Sequence, residues 1–286
     1  MVGAATKLRS LFASGHIAVA PGAYDGLSAR LVALAGFPAV YASGGAIARS
    51  AGVPDLGLIP VDAIVDRLAS MVDVVDIPII ADADTGYGNA LNAQAAARAF
   101  ERSGVAAFHL EDQSFPKKCG HYDDKSLVPV GEMVQKLKAV RDALHDPDFV
   151  VIARTDAIAV EGFAAAIDRA SAYREAGADM LFVEAPRQRD DLGRIGARLG
   201  KSVPLMVNMV EGGKTPMLPA NELEALGFAL VIFPGAIVRT LAKAAEDFYT
   251  SLKTHSSTDP FRARMFDFDA LNPDRHAQNA GARQAL

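Results

Sequence analysis

Short apolar runs alternate along the chain with longer stretches of helical spacing. The runs are Ile17–Ala20, Ala39–Ala42, Ile77–Ala81, Ala106–Leu110, Phe149–Ala153, Met180–Val183, Pro204–Val207 and Ala229–Phe233. They are rich in Val, Ile, Leu and Phe and lack strict alternation, as strands buried on both faces do. The stretches between them predict helices. Ala90–Arg102 and Gly162–Glu175 carry Ala, Arg and Glu at helical spacing, and Val130–Leu144 places Met133, Leu137, Val140 and Leu144 on one face. Gly36, Gly104, Gly177 and Gly227 each stand just after a helical stretch and just before an apolar run. A left-handed C-cap, which glycine adopts freely, explains that position.

Eight β-α units in one chain favour a closed parallel (β/α)8 TIM-type barrel over an open doubly wound sheet. No G-x-G-x-x-G follows the first strand, which removes the main argument for a dinucleotide-binding sheet. The expectation is one domain over 1–286, with 253–286 as a helical extension. Within that extension Ser256-Ser257-Thr258-Asp259-Pro260 signals a helix start ahead of an amphipathic Phe261–Leu271. Such an appended helix can pack on a neighbouring subunit.

Composition narrows the function classes. The 286 residues are 50% hydrophobic and 22% charged, ordinary values for a packed globular protein. No apolar run reaches the roughly 18 residues of a membrane span, and Met1–Ser14 lacks a signal-peptide core. A cytoplasmic protein follows by elimination. A net charge of −5, a pI of about 5.7 and scattered basic residues argue against nucleic acid as a partner. The single cysteine excludes an intramolecular disulfide.

In a barrel enzyme the site lies at the C-terminal ends of the strands. Here those ends carry Tyr41 and Ser43-Gly44-Gly45, then Asp82 and Asp84, Glu111, Arg154, Glu184 and Asn208. Asp82, Asp84 and Glu111 form a hard oxygen cluster suited to Mg2+ or Mn2+, and clustered carboxylates repel unless a cation intervenes. Asp55 reads equally as a turn residue after Pro54 or as a metal ligand through water. Arg154 is a candidate bidentate clamp for a substrate carboxylate. Arg239 is a second, with a surface salt bridge as the other reading. Ser43, Gly44 and Gly45 offer backbone N–H groups to an anionic oxygen. Phe115–His121 is the most unusual stretch: Lys117, Lys118 and His121 around Cys119 predict a favoured thiolate on an exposed, mobile, closable loop.

Together these residues resemble the isocitrate lyase/phosphoenolpyruvate mutase superfamily. The resemblance covers about Pro21 to Asn272. It is carried by Tyr41-x-Ser43-Gly44-Gly45, Asp82-x-Asp84-x-Gly86-x-Gly88, Glu111-Asp112-Gln113, Lys117-Lys118-Cys119-Gly120-His121, Ala153-Arg154-Thr155-Asp156 and Asn208–Gly213. Lys-x-Cys-Gly-His is the pattern of the lyase branch, and the long insertion of true isocitrate lyases is absent. The Asn208–Pro216 stretch is more similar to the dimethylmalate lyase group than to methylisocitrate lyases.

The resemblance implies a Mg2+-dependent carbon–carbon lyase acting on a small carboxylate, a 2-hydroxy dicarboxylate or tricarboxylate of 2,3-dimethylmalate or 2-methylisocitrate type. The alternatives are an oxaloacetate acetylhydrolase, a phosphonopyruvate-type mutase or hydrolase, or a barrel that only binds dicarboxylates. Cys119 would be the acid and Tyr41 the base, with Lys117 and His121 in the catalytic set. Gly120, Arg154, Glu184 and Asn208 would bind substrate. It further implies a homotetramer built as a dimer of dimers, a C-terminal helix swapped between subunits, and Arg264 reaching a substrate carboxylate.

Overall fold

The computed structural model describes residues 2–122 and 124–268. They fall into two compact units, Met1–Val238 and Arg239–Leu286.

The first unit is a closed barrel of eight parallel strands in sequential order, β1 pairing with β8. After α1 (Ala4–Ala13) the strands are β1 (Ala18–Ala23), β2 (Val40–Ala42), β3 (Ile79–Asp82), β4 (Ala107–Glu111), β5 (Val150–Thr155), β6 (Met180–Val183), β7 (Leu205–Asn208) and β8 (Leu230–Phe233). Each matches an expected run, with boundaries displaced toward the C-terminus by at most three residues. The helices are α2 (Gly26–Leu34), α3 (Gly44–Ser50), α4 (Val61–Val72), α5 (Ala90–Arg102), α6 (Val130–Ala143), α7 (Ala157–Val160), α8 (Phe163–Glu175), α9 (Arg189–Leu199) and α10 (Ala220–Ala225). The four helix-ending glycines all take the left-handed conformation, with φ of 81° at Gly36, 87° at Gly104, 102° at Gly177 and 95° at Gly227. No described helix is long and apolar enough to cross a membrane.

Two apolar layers build this unit, because successive strand residues point to opposite faces. Outward residues such as Phe108, Val151 and Leu181 pack on Phe100, Met133, Leu137 and Tyr173 of the helices. Burying each large side chain there contributes about 1.5–3 kcal/mol. Inward residues, among them Ala20, Tyr41, Ile80, Ala107, Ile152, Phe182, Met206 and Ile232, fill the barrel. Leu8 of α1 joins that inner cluster, so α1 closes the N-terminal end. It is fastened there by Arg9 Nη2 donating to Asp179 at 2.9 Å and Thr6 Oγ1 donating to Asp148 at 2.6 Å.

The inward rows continue to the C-terminal mouth with polar residues. Ile80 is followed two positions on by Asp82, Ala107 by His109 and Glu111, Ile152 by Arg154 and Asp156, Phe182 by Glu184, and Met206 by Asn208. Strand register sets Asp82 beside His109 and Glu111 beside Arg154. Backbone geometry alone therefore gathers this set at one end.

The second unit opens within α11 (Ala236–His255), whose described residues include none that is buried. Phe248 packs against Phe261, and the Arg264 guanidinium lies over the Phe261 ring at 4.4 Å while donating to Asp247. The expected helix Phe261–Leu271 is not what forms: a 3-10 turn over Asp259–Arg264 ends at Met265 in extended backbone. Pro260 near its start and the shortness of the turn fit a connector better than an amphipathic helix. The rest of that expected helix, and the extension beyond residue 268, lie outside the described residues.

Candidate active site

The loops above the mouth hold the strand-end residues in place. Ser43 caps α3, its hydroxyl accepting from the Ala46 N–H at 3.2 Å. Gly44 and Gly45 leave no room for a side chain: a Cβ would stand 2.7 Å from Asp82 Oδ2 at Gly44 and 2.8 Å from Asp55 Oδ2 at Gly45. These two glycines thus admit carboxylates to the mouth. The β3–α5 turn has left-handed backbone at Asp84 (φ 47°) and Tyr87 (φ 61°), and the Asp84 N–H donates back to Asp82 Oδ1 at 3.0 Å.

Lys117 gathers the acids. Its ammonium is 4% exposed and pairs with Asp84 at 2.6 Å and with Asp55. Asp55 therefore belongs to the site rather than to a free turn. Asp82 is buried; burial opposes its ionisation, but the nearby His109, Lys117 and Arg154 and the Asp84 N–H outweigh this and hold its pKa at about 2. Asp84 is pushed up to about 6, by burial above all and by Asp82 and Asp55, against Lys117. Burial, with Asp156 and Asp84, pushes Glu111 well above the usual carboxylate range despite Arg154 at 3.0 Å.

These acids fit a divalent cation. Glu111 Oε1 is buried without a hydrogen-bond partner, the donors are hard oxygens, and a cation beside Asp84 and Glu111 would relieve the crowding that disfavours their charged forms. Among the described residues no three His, Cys, Asp or Glu side chains converge closely enough to hold an ion by themselves.

The Lys117–His121 loop is docked on the mouth, which corrects the expectation of an exposed loop. Gly120 is buried, and a Cβ there would stand 2.5 Å from both Arg154 Nη2 and Glu184 Cγ. His121 Nε2 lies 3.2 Å from Glu184, and its Nδ1 accepts from the Lys214 N–H at 3.0 Å. Gln113 braces the stem, its amide donating to the Lys118 carbonyl at 2.8 Å. We expect Gly120→Ala to lower kcat/KM about 100-fold by holding the loop off Arg154, with thermal unfolding near that of the unmodified chain.

Two expected protonation states are also corrected. Lys117 serves Asp55 and Asp84, and Lys118 donates to the Asp124 carbonyl at 2.8 Å, so neither ammonium is committed to Cys119. Burial pushes the Cys119 thiol up, and Asp55 and Glu184 add to this against the His121 N–H and Arg154. The group is a thiol rather than a thiolate. Tyr41 is buried, its hydroxyl 2.7 Å from His109 Nε2 and 3.4 Å from Asp82 Oδ2. Burial and Asp82 push its pKa well above the usual phenol value. At rest it is therefore a phenol rather than a phenolate.

Arg154 is a second cation at the mouth, beside Lys117. It lies between Glu111, Asp156 and Glu184, with its Nε donating to Asp156 Oδ2 at 2.9 Å. Asn208 Nδ2 donates to Glu184 at 3.2 Å, leaving its buried Oδ1 without a partner. Arg239 belongs to the second unit, as an exposed residue of α11.

The sequence reading missed His109 and Lys125. His109 is fully buried, stacked on Tyr41 and edge-on to Phe182, and burial pushes its imidazole down to about 4. Its signal was available: it stands two residues before Glu111, on the same inward face. Lys125 gives no such signal, since its partners come from elsewhere in the fold.

The family model described as phosphoenolpyruvate phosphomutase matches residues 8–253. The 2,3-dimethylmalate lyase of Eubacterium barkeri is 42% identical over 94% of this chain and 92% of its own length. The 2-methylisocitrate lyase of Bacillus subtilis (strain 168) is 46% identical over 88% of this chain and 83% of its own. A crystal structure of a 2,3-dimethylmalate lyase superposes with a TM-score of 0.86 at 39% identity, over 90% of this chain and 87% of that one. The chain accordingly belongs to the phosphoenolpyruvate phosphomutase family, on the short lyase branch of the isocitrate lyase/phosphoenolpyruvate mutase superfamily.

Proposed function

We propose that this chain is a Mg2+-dependent carbon–carbon lyase. Its substrate is a small 2-hydroxy di- or tricarboxylate of 2,3-dimethylmalate or 2-methylisocitrate type, and its products are a 2-oxo acid such as pyruvate and a second carboxylate. The observation that carries this reading is the docked loop, which presses Gly120, the residue after Cys119, against Arg154 and Glu184 at the strand ends where the acids gather. The reading also includes a homotetrameric, cytoplasmic enzyme with its C-terminal segment exchanged between subunits.

Asp82, Asp84 and Glu111 would hold the Mg2+, with Asp55 acting through water. Bound there, the ion supplies Lewis acidity toward a hydroxyl and its neighbouring carboxylate. Arg154 binds the carboxylate of the leaving half, assisted by His121 and Asn208, and Glu184 orients all three. The substrate hydroxyl passes its proton to Tyr41, whose own phenolic proton moves to His109 Nε2 2.7 Å away. The carbon–carbon bond breaks as the new C=O forms, its electron pair passing to the leaving carbon, and Cys119 delivers its proton there. The docked Gly120 segment excludes water, so these donors act where each can contribute about 3 kcal/mol to the barrier.

A coupled assay for 2-oxo acid release from 2,3-dimethylmalate, 2-methylisocitrate, isocitrate and oxaloacetate tests the reading. Pyruvate from one of the first two is the expected result. Turnover of phosphonopyruvate, with no pyruvate from the hydroxy acids, would replace the lyase by phosphonate chemistry. Exhaustive chelation should abolish activity and added Mg2+ restore it; activity surviving chelation removes the metal from the reading.

A further inference from the structure

Lys125 stands at the C-terminal stem of the docked loop with a fully buried side chain. A buried ammonium is retained only when it is paired and hydrogen-bonded. Lys125 Nζ donates to Asp156 Oδ1 at 2.7 Å and to the carbonyl of Gly120. Asp156 is shared, because the same carboxylate accepts from Arg154 Nε at 2.9 Å and Nη2 at 3.1 Å. It is itself anchored, its N–H donating to Asp112 Oδ1 at 2.9 Å. Asp112 in turn accepts from Thr155, Tyr173 and Arg169. Lys125 is therefore fixed to the rigid ends of β4 and β5.

The Gly120 carbonyl accepts from Lys125, and Gly120 is bonded directly to Cys119. The Gly120 Cα lies against Arg154 and Glu184 with no space to turn.

We infer that Lys125 is a positioning residue for Cys119: by holding the Gly120 carbonyl it fixes the residue bonded to Cys119 and so sets where the thiol stands. It also ties the docking of the loop to the carboxylate that holds Arg154. This inference rests on Cys119 being the acid of the proposed reaction.

Lys125→Met is the test, read in two ways. The first is steady-state kinetics: kcat falls about 10- to 100-fold while KM stays within a few-fold, as expected of a misplaced reacting group. The second is iodoacetamide alkylation of the resting enzyme, taken at its high-pH plateau. Cys119 is the chain's single cysteine, so the rate reports it alone. With the latch removed the plateau rate rises about tenfold, and Lys125→Arg returns both readouts partway toward the unmodified chain. If the methionine variant does not fold, Lys125→Gln, which keeps a donor but loses the charge, should give an intermediate alkylation rate. An unchanged alkylation rate in the folded variant overturns the inference, whatever happens to kcat. Because alkylation needs no substrate, it remains decisive even if the lyase assignment fails.

Discussion

Cys119→Ser lowers kcat by about 1,000-fold while leaving Mg2+ and product binding nearly intact, a loss in the range of a removed general acid. A carbanion formed at the leaving half needs a proton from a group that holds one at neutral pH and can still release it. Burial keeps the Cys119 thiol protonated, and Asp55 and Glu184 reinforce this, while the His121 N–H and Arg154 stabilise the thiolate left after transfer. Serine is nearly the same shape, so the loop still docks through Gly120, but its hydroxyl is a far weaker acid. The carboxylate contacts of Arg154, His121 and Asn208 do not involve the sulfur, so binding measured by calorimetry should change little. Retention of full turnover in the serine variant would end the acid role and move the proton source to another residue.

The barrel was legible because its strands are buried on both faces and four of its helices end on a left-handed glycine, two signals that depend only on local chemistry. The strand-end acids and Arg154 were legible for a related reason: a parallel barrel brings strand C-termini together whatever the loops do. Charge state was not legible. Lys117 and Lys118 adjoin Cys119 in sequence, yet in space one ammonium serves Asp55 and Asp84 and the other a backbone carbonyl. Tyr41 ends a strand as a base might, and burial beside Asp82 keeps it a phenol at rest. Sequence distance is a poor guide to electrostatics in a desolvated site, where the partners come from other strands. His109 escaped notice because one histidine does little to an apolar run, although its parity with Glu111 places it inside the barrel. Lys125 and Asp156 acquire their meaning from each other only once the loop is folded back on β5.

Arg154→Met is expected to damage both stability and turnover, and Arg154→Lys separates the two. The side chain is 9% exposed, and its guanidinium faces Glu111 at 3.0 Å, Asp156 at 2.9 Å and Glu184 at 3.7 Å, with the Phe182 ring 5.4 Å from its centre. Removing one partner from a buried ionic group leaves its carboxylates uncompensated and costs about 3–5 kcal/mol. Urea unfolding of the methionine variant should therefore show a much lower midpoint at an unchanged slope. Lysine returns the charge and so recovers most of that stability. It does not return the planar fork that reaches Asp156 through two nitrogens, holds Glu111 with a third, and would present a two-point face to a substrate carboxylate. Its kcat/KM should remain roughly 100-fold below that of the unmodified chain, since misplacing a clamp by about 1 Å has that effect. Full activity in the lysine variant would show that Arg154 acts only as a point charge. Stability close to that of the unmodified chain in the methionine variant would show that the carboxylates around it are not all ionised in the folded state.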